Sequence, residues 1–301
     1  MIVHILSNSR SLYSTRRLFE EAFKRGHKVR VYPPVNLALF IDKNVTQVFF
    51  QREALSRPDV VIPRLGQKKP NYTLAVLRQF EMMGVATLNG SQAMGRCRDK
   101  LRTLQILAQH NIPVPKTFFL DSLSDIELAI EMVGGPPLII KLPEGSQGMG
   151  VMLAETVPSA RSILEALLNQ GLHVLVQEFI AESRGSDIRV IILGGKMIAA
   201  MRRISLSNDF RSNVHRGAST EKVNLSYEAR RTAQQASRIL GLQFAGVDVM
   251  ESHRGPLVLE VNPSPGLEGI ENASGVNVAL AVIEYLEKLH RLQQVRDSVG
   301  Y

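Results

Sequence analysis

Glu260 and Asn262 stand two apart in LEVNPSPG (259–266), at the end of an apolar run and directly before a Pro-broken loop. In a strand this spacing puts both polar side chains on one face with Val258, while Leu257, Leu259 and Val261 take the other face and supply the core. Asp248, flanked by Val247 and Val249, lies on the preceding strand of the same expected hairpin, and pairing across it can set the acid beside Glu260 and Asn262. Two carboxylates and one amide oxygen are hard ligands, few enough to leave places for water and phosphate, which suits Mg²⁺. No Cys or His joins them, which argues against zinc. Taken alone, an exposed polar strand face has the same pattern.

A second stretch adds weight. KLPEGSQGMGV (141–151) puts Lys141 at the end of an apolar strand, then Gly145, Gly148 and Gly150. Glycines let backbone N–H groups approach phosphate oxygens closely. The Lys precedes the glycines, so this is not a Walker loop, and a strand rather than a helix follows, so it is not a dinucleotide fingerprint. A lid over a triphosphate fits strand–loop–strand; a plain hairpin with a long loop is the alternative. QEFIAESRGSDIR (177–189) holds Glu178 at a strand end, where its backbone can meet an adenine edge. Asp187 and Arg189 alternate onto one face, an acid for ribose hydroxyls and a cation for a transferring phosphate. DFRSNVHRGA (209–218) places Arg211, Asn213, His215 and Arg216 in a loop without apolar anchors, which marks either solvent or a site.

The elements that must position these groups fall into two patterns. Strands at Val3–Leu6, Lys28–Tyr32, Asp59–Ile62 and Ala86–Leu88 alternate with helices at Thr15–Arg25, N-capped by Ser14, and Tyr72–Met83, so a small parallel α/β unit is expected. Ser91–Arg98 reads as a connector. Beyond it come helices at Asp99–Gln109, Asp125–Val133, Ser159–Asn169, Tyr227–Leu240 and Val276–Leu292. Between them lie a strand in NIPVPKTFFL, the pair around the Gly-rich loop, HVLVQEFI, and two hairpins turned at Gly194-Gly195 and His253–Gly255. Hairpins imply antiparallel sheet, hence α+β. The expected division is 1–98, 99–176 with the Gly-rich lid, and 177–301 with the metal site.

Composition bounds the rest. The 301 residues carry a net charge of +8, with 45% hydrophobic and 21% charged residues, ordinary for a soluble globular protein. No 18-residue apolar run and no secretory signal pattern occur, and Cys97 is the only cysteine, so an intramolecular disulfide is impossible and a reducing cytoplasm is expected. Residues 1–98 hold 16 Lys+Arg against 6 Asp+Glu, a balance of +10, and the remainder 20 against 22, a balance of −2. That basic third is either a dock for an anionic partner or a solvated surface. No aromatic-rich basic stripe supports RNA binding, and direct RNA contact stays open.

At this point the residues carry a resemblance. KLPEGSQGMGV, VQEFI, DIR, FRSNVHRGA, AGVDV and LEVNPSPGLEGIE resemble the ATP-grasp fold, specifically the RimK-type α-L-glutamate ligases. Upstream, VIPRLG, LRQFEMMG and RCRDKLRTLQILA are similar to the N-terminal part of that family, so the resemblance spans nearly the whole chain in order. Pro263, where a small residue is expected, is a departure that changes no ligand.

The resemblance implies ATP between two α+β lobes, preceded by the small parallel α/β unit. Lys100 and Lys141 would contact phosphates, and Glu178 with Phe179 would line the adenine pocket. Asp187 would bind ribose. Arg211, Ser212 and Asn213 would approach the phosphates, with Gly145, Ser146, Gly148 and Gly150 as the lid. Asp248, Glu260 and Asn262 would hold two Mg²⁺ or Mn²⁺ ions. Arg189, with Arg202 and Arg203 as weaker candidates, would neutralise the charge of a carboxylate attacking the γ-phosphate. The family's substrates would be L-glutamate and the C-terminal tail of ribosomal protein S-six, with poly-α-glutamate synthesis as an extension, and a homo-oligomer is expected. Two alternatives stay open: an ATP-grasp ligase with another acid or amine, and a nucleotide-binding module without catalysis.

Overall fold

The computed structural model describes residues 1–66, 68–143, 150–183, 185–205 and 219–298, with side chains of the closing helix described as far as residue 292. The chain opens with β1 (Ile2–Leu6), α1 (Tyr13–Lys24) and β2 (Lys28–Tyr32), β2 lying parallel to β1. Helix α1 turns Thr15, Leu18, Glu21 and Ala22 inward, the spacing of one helical face. It begins at Tyr13, so Ser14 is not its cap; the Ser14 hydroxyl instead accepts the Leu267 N–H at 3.0 Å. After Pro33-Pro34 the chain forms an antiparallel hairpin absent from the sequence reading: β3 (Leu37–Asp42), β4 (Val45–Phe50) and the short β5 (Glu53–Ala54). Parallel pairing resumes with β6 (Val60–Pro63), α2 (Pro70–Met82) and β7 (Ala86–Thr87), giving the order β2-β1-β6-β7.

The expected connector is a helix, α3 (Ser91–Arg98), followed at once by α4 (Lys100–Gln109). Its start is held by a carboxylate from α2: Glu81 accepts the Ser91 N–H at 2.6 Å and the Ser91 hydroxyl at 2.5 Å. That cap is tertiary, so the local sequence did not reveal it. Asp99 caps α4 through the Arg102 N–H at 2.9 Å.

Next come β8 (Thr117–Leu120), α5 (Ile126–Val133), β9 (Leu138–Lys141), β10 (Val151–Ala154), α6 (Val157–Leu168) and β11 (Val174–Glu178). Their antiparallel sheet runs β10-β9-β11-β8, and its apolar face packs on α5 and α6 through Leu138, Ile140, Val176, Ile130 and Leu164. The last part supplies β12 (Ser186–Leu193), β13 (Lys196–Ile204), β14 (Ser219–Lys222), α7 (Tyr227–Ile239), β15 (Phe244–Ser252), β16 (Gly255–Asn262), α8 (Glu268–Ser274) and α9 (Val278–Ser298). Its five strands lie in the order β14-β13-β12-β15-β16, all antiparallel. Gly194 and Gly195 turn the β12–β13 hairpin at positive φ, +57° and +76°.

One face of this larger sheet is covered by α7, through Val190, Val247, Val249, Ala233 and Ala236. Part of the other face joins the first sheet, where Ile191, Leu193, Met201 and Phe244 share a core with Val3, Ile5, Leu18, Leu267 and Val282. The charged residues of that second face, from β12, β13, β15 and β16, carry the candidate site.

Candidate active site

The β15–β16 register pairs Asp248 directly with Glu260 and Gly246 with Asn262. This brings together all three residues of the expected metal set. The expected faces of Val258 and Leu257 are exchanged: Leu257 pairs with Met250, on the face of Asp248. A bulge at Leu259 lets Val249 pair with Val258 instead, so Val258 joins Val261 in the core against α7. An extra residue in one strand reverses the alternation beyond it, which a strict two-residue period misses.

On the neighbouring strands the same face presents Asp187 and Arg189 from β12 and Arg203 from β13, with Arg189 opposite Asp248 and Asp187 opposite Arg203. Asp248 is 3% exposed and clamped from two sides. Arg189 donates Nε to Oδ1 and Nη2 to Oδ2, both at 2.7 Å, and Arg203 Nη2 reaches Oδ2 at 2.8 Å. Arg203 also forks onto Asp187, with two bonds of 2.5 Å. Burial alone would raise the Asp248 carboxyl, but the two guanidiniums outweigh it and hold the group below the usual carboxylate range. Burial would likewise lower Arg203, and the two carboxylates outweigh it and raise it. Arg202 is turned to the opposite face by strand alternation, where it pairs with Glu251 at 2.8 Å and Glu221 at 3.8 Å. The structure therefore separates it from Arg189 and Arg203.

Glu260 is exposed and makes no hydrogen bond or ion pair among the described residues. Asn262 Oδ1 accepts the Ser264 N–H at 2.9 Å, which points the amide oxygen at the turn and leaves it a second lone pair. Gly246, opposite Asn262, is required by space: a Cβ there would lie 2.8 Å from the Pro265 Cβ. The donor set fits a hard divalent cation in kind, since an open carboxylate, an amide oxygen and a remaining lone pair on Asp248 Oδ1 converge from two paired strands.

Two lysines approach from the smaller antiparallel sheet and from α4. Lys141, at the end of β9, donates Nζ to Gln177 Oε1 at 2.6 Å, and Lys100 donates Nζ to the Leu142 carbonyl at 3.2 Å. Burial pushes Lys141 down to about 8; Glu260 opposes that shift and Lys100 adds to it, so the three charges lie within electrostatic reach of one another. Burial also lowers Lys100, again opposed by Glu260. Glu178 and Phe179 sit at the end of β11. The Glu178 N–H donates to the Lys116 carbonyl at 3.0 Å, and its carboxylate accepts the Lys116 N–H at 2.6 Å and pairs with Arg254. Gly150, at φ +71°, closes the Gly-rich loop before β10. Gly145, Ser146, Gly148, Arg211, Ser212 and Asn213, with His215 and Arg216, lie outside the described residues. Burial pushes the Cys97 thiol up to about 12, which disfavours the thiolate form that nucleophilic attack requires. Gly246, Gln177 and Arg254 were not singled out in the sequence; the only signal was that the first two fall inside motif stretches.

Solved structures share this architecture. The ATP-grasp ligase PsnB complexed with a minimal precursor superimposes with a TM-score of 0.76 at 22% identity, covering 95% of this chain and 98% of that one. The RimK domain protein ATP-grasp from Sphaerobacter thermophilus gives 0.71 at 21% identity, over 95% and 99%. The fold is thus that of the ATP-grasp proteins. The RimK PreATP-grasp domain matches residues 1–94 and the RimK-like ATP-grasp domain residues 97–286. The probable alpha-L-glutamate ligase of Aliivibrio fischeri is 49% identical over 288 residues, 96% of each chain, and that of Picosynechococcus sp. is 48% identical over 301 residues, 100% of each. The chain belongs to the RimK family of ATP-grasp enzymes, and it is an ATP-dependent carboxylate–amine ligase.

Proposed function

We propose that this ligase adds L-glutamate to the C-terminal glutamate of ribosomal protein S-six through an acyl-phosphate. The observation that carries the reading is the register that sets Asp248, Glu260 and Asn262 on one sheet face with Arg189 and Arg203, opposite Lys100 and Lys141. The glutamate ligase names of relatives near 49% identity support the amino acid. The structural neighbour PsnB, solved with a precursor peptide, supports a peptide acceptor, and the basic first third suits an acidic tail.

In this reading Lys100, Lys141, Arg211, Ser212 and Asn213 hold the ATP phosphates, Glu178 and Phe179 border the adenine, and Asp187 serves the ribose. The acceptor carboxylate oxygen bonds to the γ-phosphorus as the bond to the ADP oxygen breaks. The glutamate nitrogen then attacks the acyl carbon, phosphate leaves with the bonding pair, and the amine gives up its proton. Carboxylate and triphosphate repel each other, so cationic groups must hold them in line, and Arg189 and Arg203 are fixed for that work by Asp248 and Asp187. Two Mg²⁺ or Mn²⁺ ions, held by Asp248, Glu260 and Asn262, would supply further neutralisation of phosphate charge. The Gly145–Gly150 loop keeps water from the acyl-phosphate. The enzyme acts in the cytoplasm as a homo-oligomer, and its working units are 1–98, 99–176 and 177–301.

The test is intact mass spectrometry of ribosomal protein S-six incubated with the enzyme, ATP, Mg²⁺ and L-glutamate. The expected product is a ladder spaced by one glutamate residue and absent without ATP. ADP release with glutamate but without a ladder would move the acceptor elsewhere. No ladder and no ADP would overturn the reading.

A further inference from the structure

Arg64 follows β6 directly, its N–H donating to the Leu6 carbonyl at 2.8 Å, so it stands at the carboxyl-terminal edge of the parallel sheet. Its guanidinium Nε and Nη1 are out of contact with solvent and have no hydrogen-bond partner. No carboxylate pairs with it among the described residues. The other inward arginines are engaged: Arg17 with Glu21 and Glu271, Arg189 with Asp248, Arg203 with Asp187 and Asp248. Arg98, near Arg64, spends Nη2 on the Gly66 carbonyl at 3.0 Å and Nη1 on the Pro70 carbonyl at 2.9 Å. Among the described residues Arg64 is the one cation whose guanidinium holds buried donors without a partner, and burial pushes it down to about 10. Such a group is destabilising unless something answers it, and each such orphan calls for a reason.

Its position supplies one. Ligands of open α/β sheets bind outside the carboxyl ends of the strands. Here that edge abuts the site: Asn89, just past β7, donates Nδ2 to the Pro263 carbonyl at 2.8 Å, one residue beyond Asn262. The Arg98 that binds Gly66 stands two residues before Lys100, whose Nζ bonds Leu142 at the root of the Gly-rich loop. The strand ends, the loop after Asn262 and Lys100 therefore border one crevice.

We propose that Arg64 anchors a carboxylate of the substrate, holding it at the edge of the parallel sheet while the reacting group lies over the Asp248–Glu260–Asn262 face. This rests on the ligase reading above and assigns a residue to its substrate side. A carboxylate is acceptor-only and matches the open N–H donors of a buried guanidinium. In that reading the phosphates are served by Lys100 and Lys141, whose charges interact with Glu260. The anchored carboxylate belongs either to incoming L-glutamate or to the glutamate end of the acceptor.

The test uses the full chain with Arg64→Met, which removes charge and keeps an unbranched stem, and Arg64→Lys, which keeps charge without the fork. Without ligands, Arg64→Met should melt at or above the wild-type temperature, because an unanswered charge has gone. The KM for L-glutamate or for a peptide ending in Glu-Glu should rise about tenfold to a hundredfold, the worth of a charged hydrogen bond, with the KM for ATP unchanged. Arg64→Lys should fall between. A rise confined to L-glutamate assigns the carboxylate to the amino acid, and a rise confined to the peptide assigns it to the acceptor. An unchanged KM for both would overturn the proposal. So would an Arg64→Met protein melting far below wild type and rescued by Lys at unchanged KM, since Arg64 would then serve the fold. Should the wild type make no glutamate product, the ligase reading fails separately. Arg64 is then judged by melting shifts with L-glutamate and the peptide: a wild-type shift lost in Arg64→Met upholds it, and equal shifts, or none, overturn it.

Discussion

Asp248 and Glu260 are direct cross-strand partners with opposite surroundings: the first is 3% exposed and clamped by Arg189 and Arg203, the second is open to solvent with no hydrogen bond or ion pair among the described residues. Two acids at one position of a hairpin are thereby given different work. Asp248 fixes the guanidiniums, and Glu260 is free to meet a ligand.

Glu260→Gln should therefore separate activity from stability. Loss of the charge at an exposed site should leave the urea midpoint within about 0.5 kcal/mol of wild type. ADP release should fall by about a hundredfold or more. Unchanged ADP release would remove Glu260 from the metal set.

Arg203 behaves oppositely. It is 3% exposed and bonded to both Asp187 and Asp248, so Arg203→Met leaves two buried carboxylates short of a partner. The expected cost is about 3–5 kcal/mol, read as a lower urea midpoint. A cost below about 1 kcal/mol would show that the cluster adds little to the fold.

Gly246→Ala tests how tightly the loop after Asn262 is seated. The new methyl would meet Pro265 at 2.8 Å, between a strand and a buried ring that cannot turn aside. Overpacking should cost about 1–3 kcal/mol and lower turnover through Asn262. Gly266→Ala is the control, because its Cβ would meet nothing within 4 Å. Equal behaviour of the two variants would contradict the model of a wedged loop.

Lys141 gives a pH signature. Burial holds it at about 8, so above that pH the ligand-free enzyme loses the charge that would receive a phosphate. The kcat/KM for ATP should fall as pH rises through about 8, and Lys141→Arg should flatten that limb. An alkaline limb persisting in the Arg variant would assign the titration to another group.

His4 gives a second, in stability. Burial, with a smaller push from Arg30, lowers it from 6.5 to about 4, and its Nδ1 has no partner. Between those values the unfolded chain binds a proton the native state refuses, so stability falls as pH drops from 6.5 to 4 and levels below. The shift corresponds to about 3 kcal/mol at its fullest. In His4→Phe this dependence should shrink; an unaltered profile would place the acid sensitivity elsewhere.

Much of the architecture was legible in the chain. Gly194-Gly195 marked a hairpin, alternating apolar runs marked the antiparallel strands, and the first four parallel strands showed in their spacing with helices. The β3–β4 hairpin is a local feature that was overlooked, but two other misses share a cause. Helix α3 depends on a cap lent by Glu81 from α2, and the bulge at Leu259 on pairing with β15, so neither is written in the local pattern.

The same division holds for the site. By itself the sequence determined which groups are present: two acids and an amide at strand spacing, lysines before glycines, arginines alternating with acids, and motifs in family order. Residue type and period are local, and they survive reading in one dimension. Only the tertiary structure decided which acid is clamped and which is open, that Arg202 turns away while Arg203 turns in, and that Arg64 is buried without a partner. Those outcomes depend on what neighbouring strands bring within about 3 Å, the range over which a charged hydrogen bond acts, and that proximity is created only when the sheets assemble.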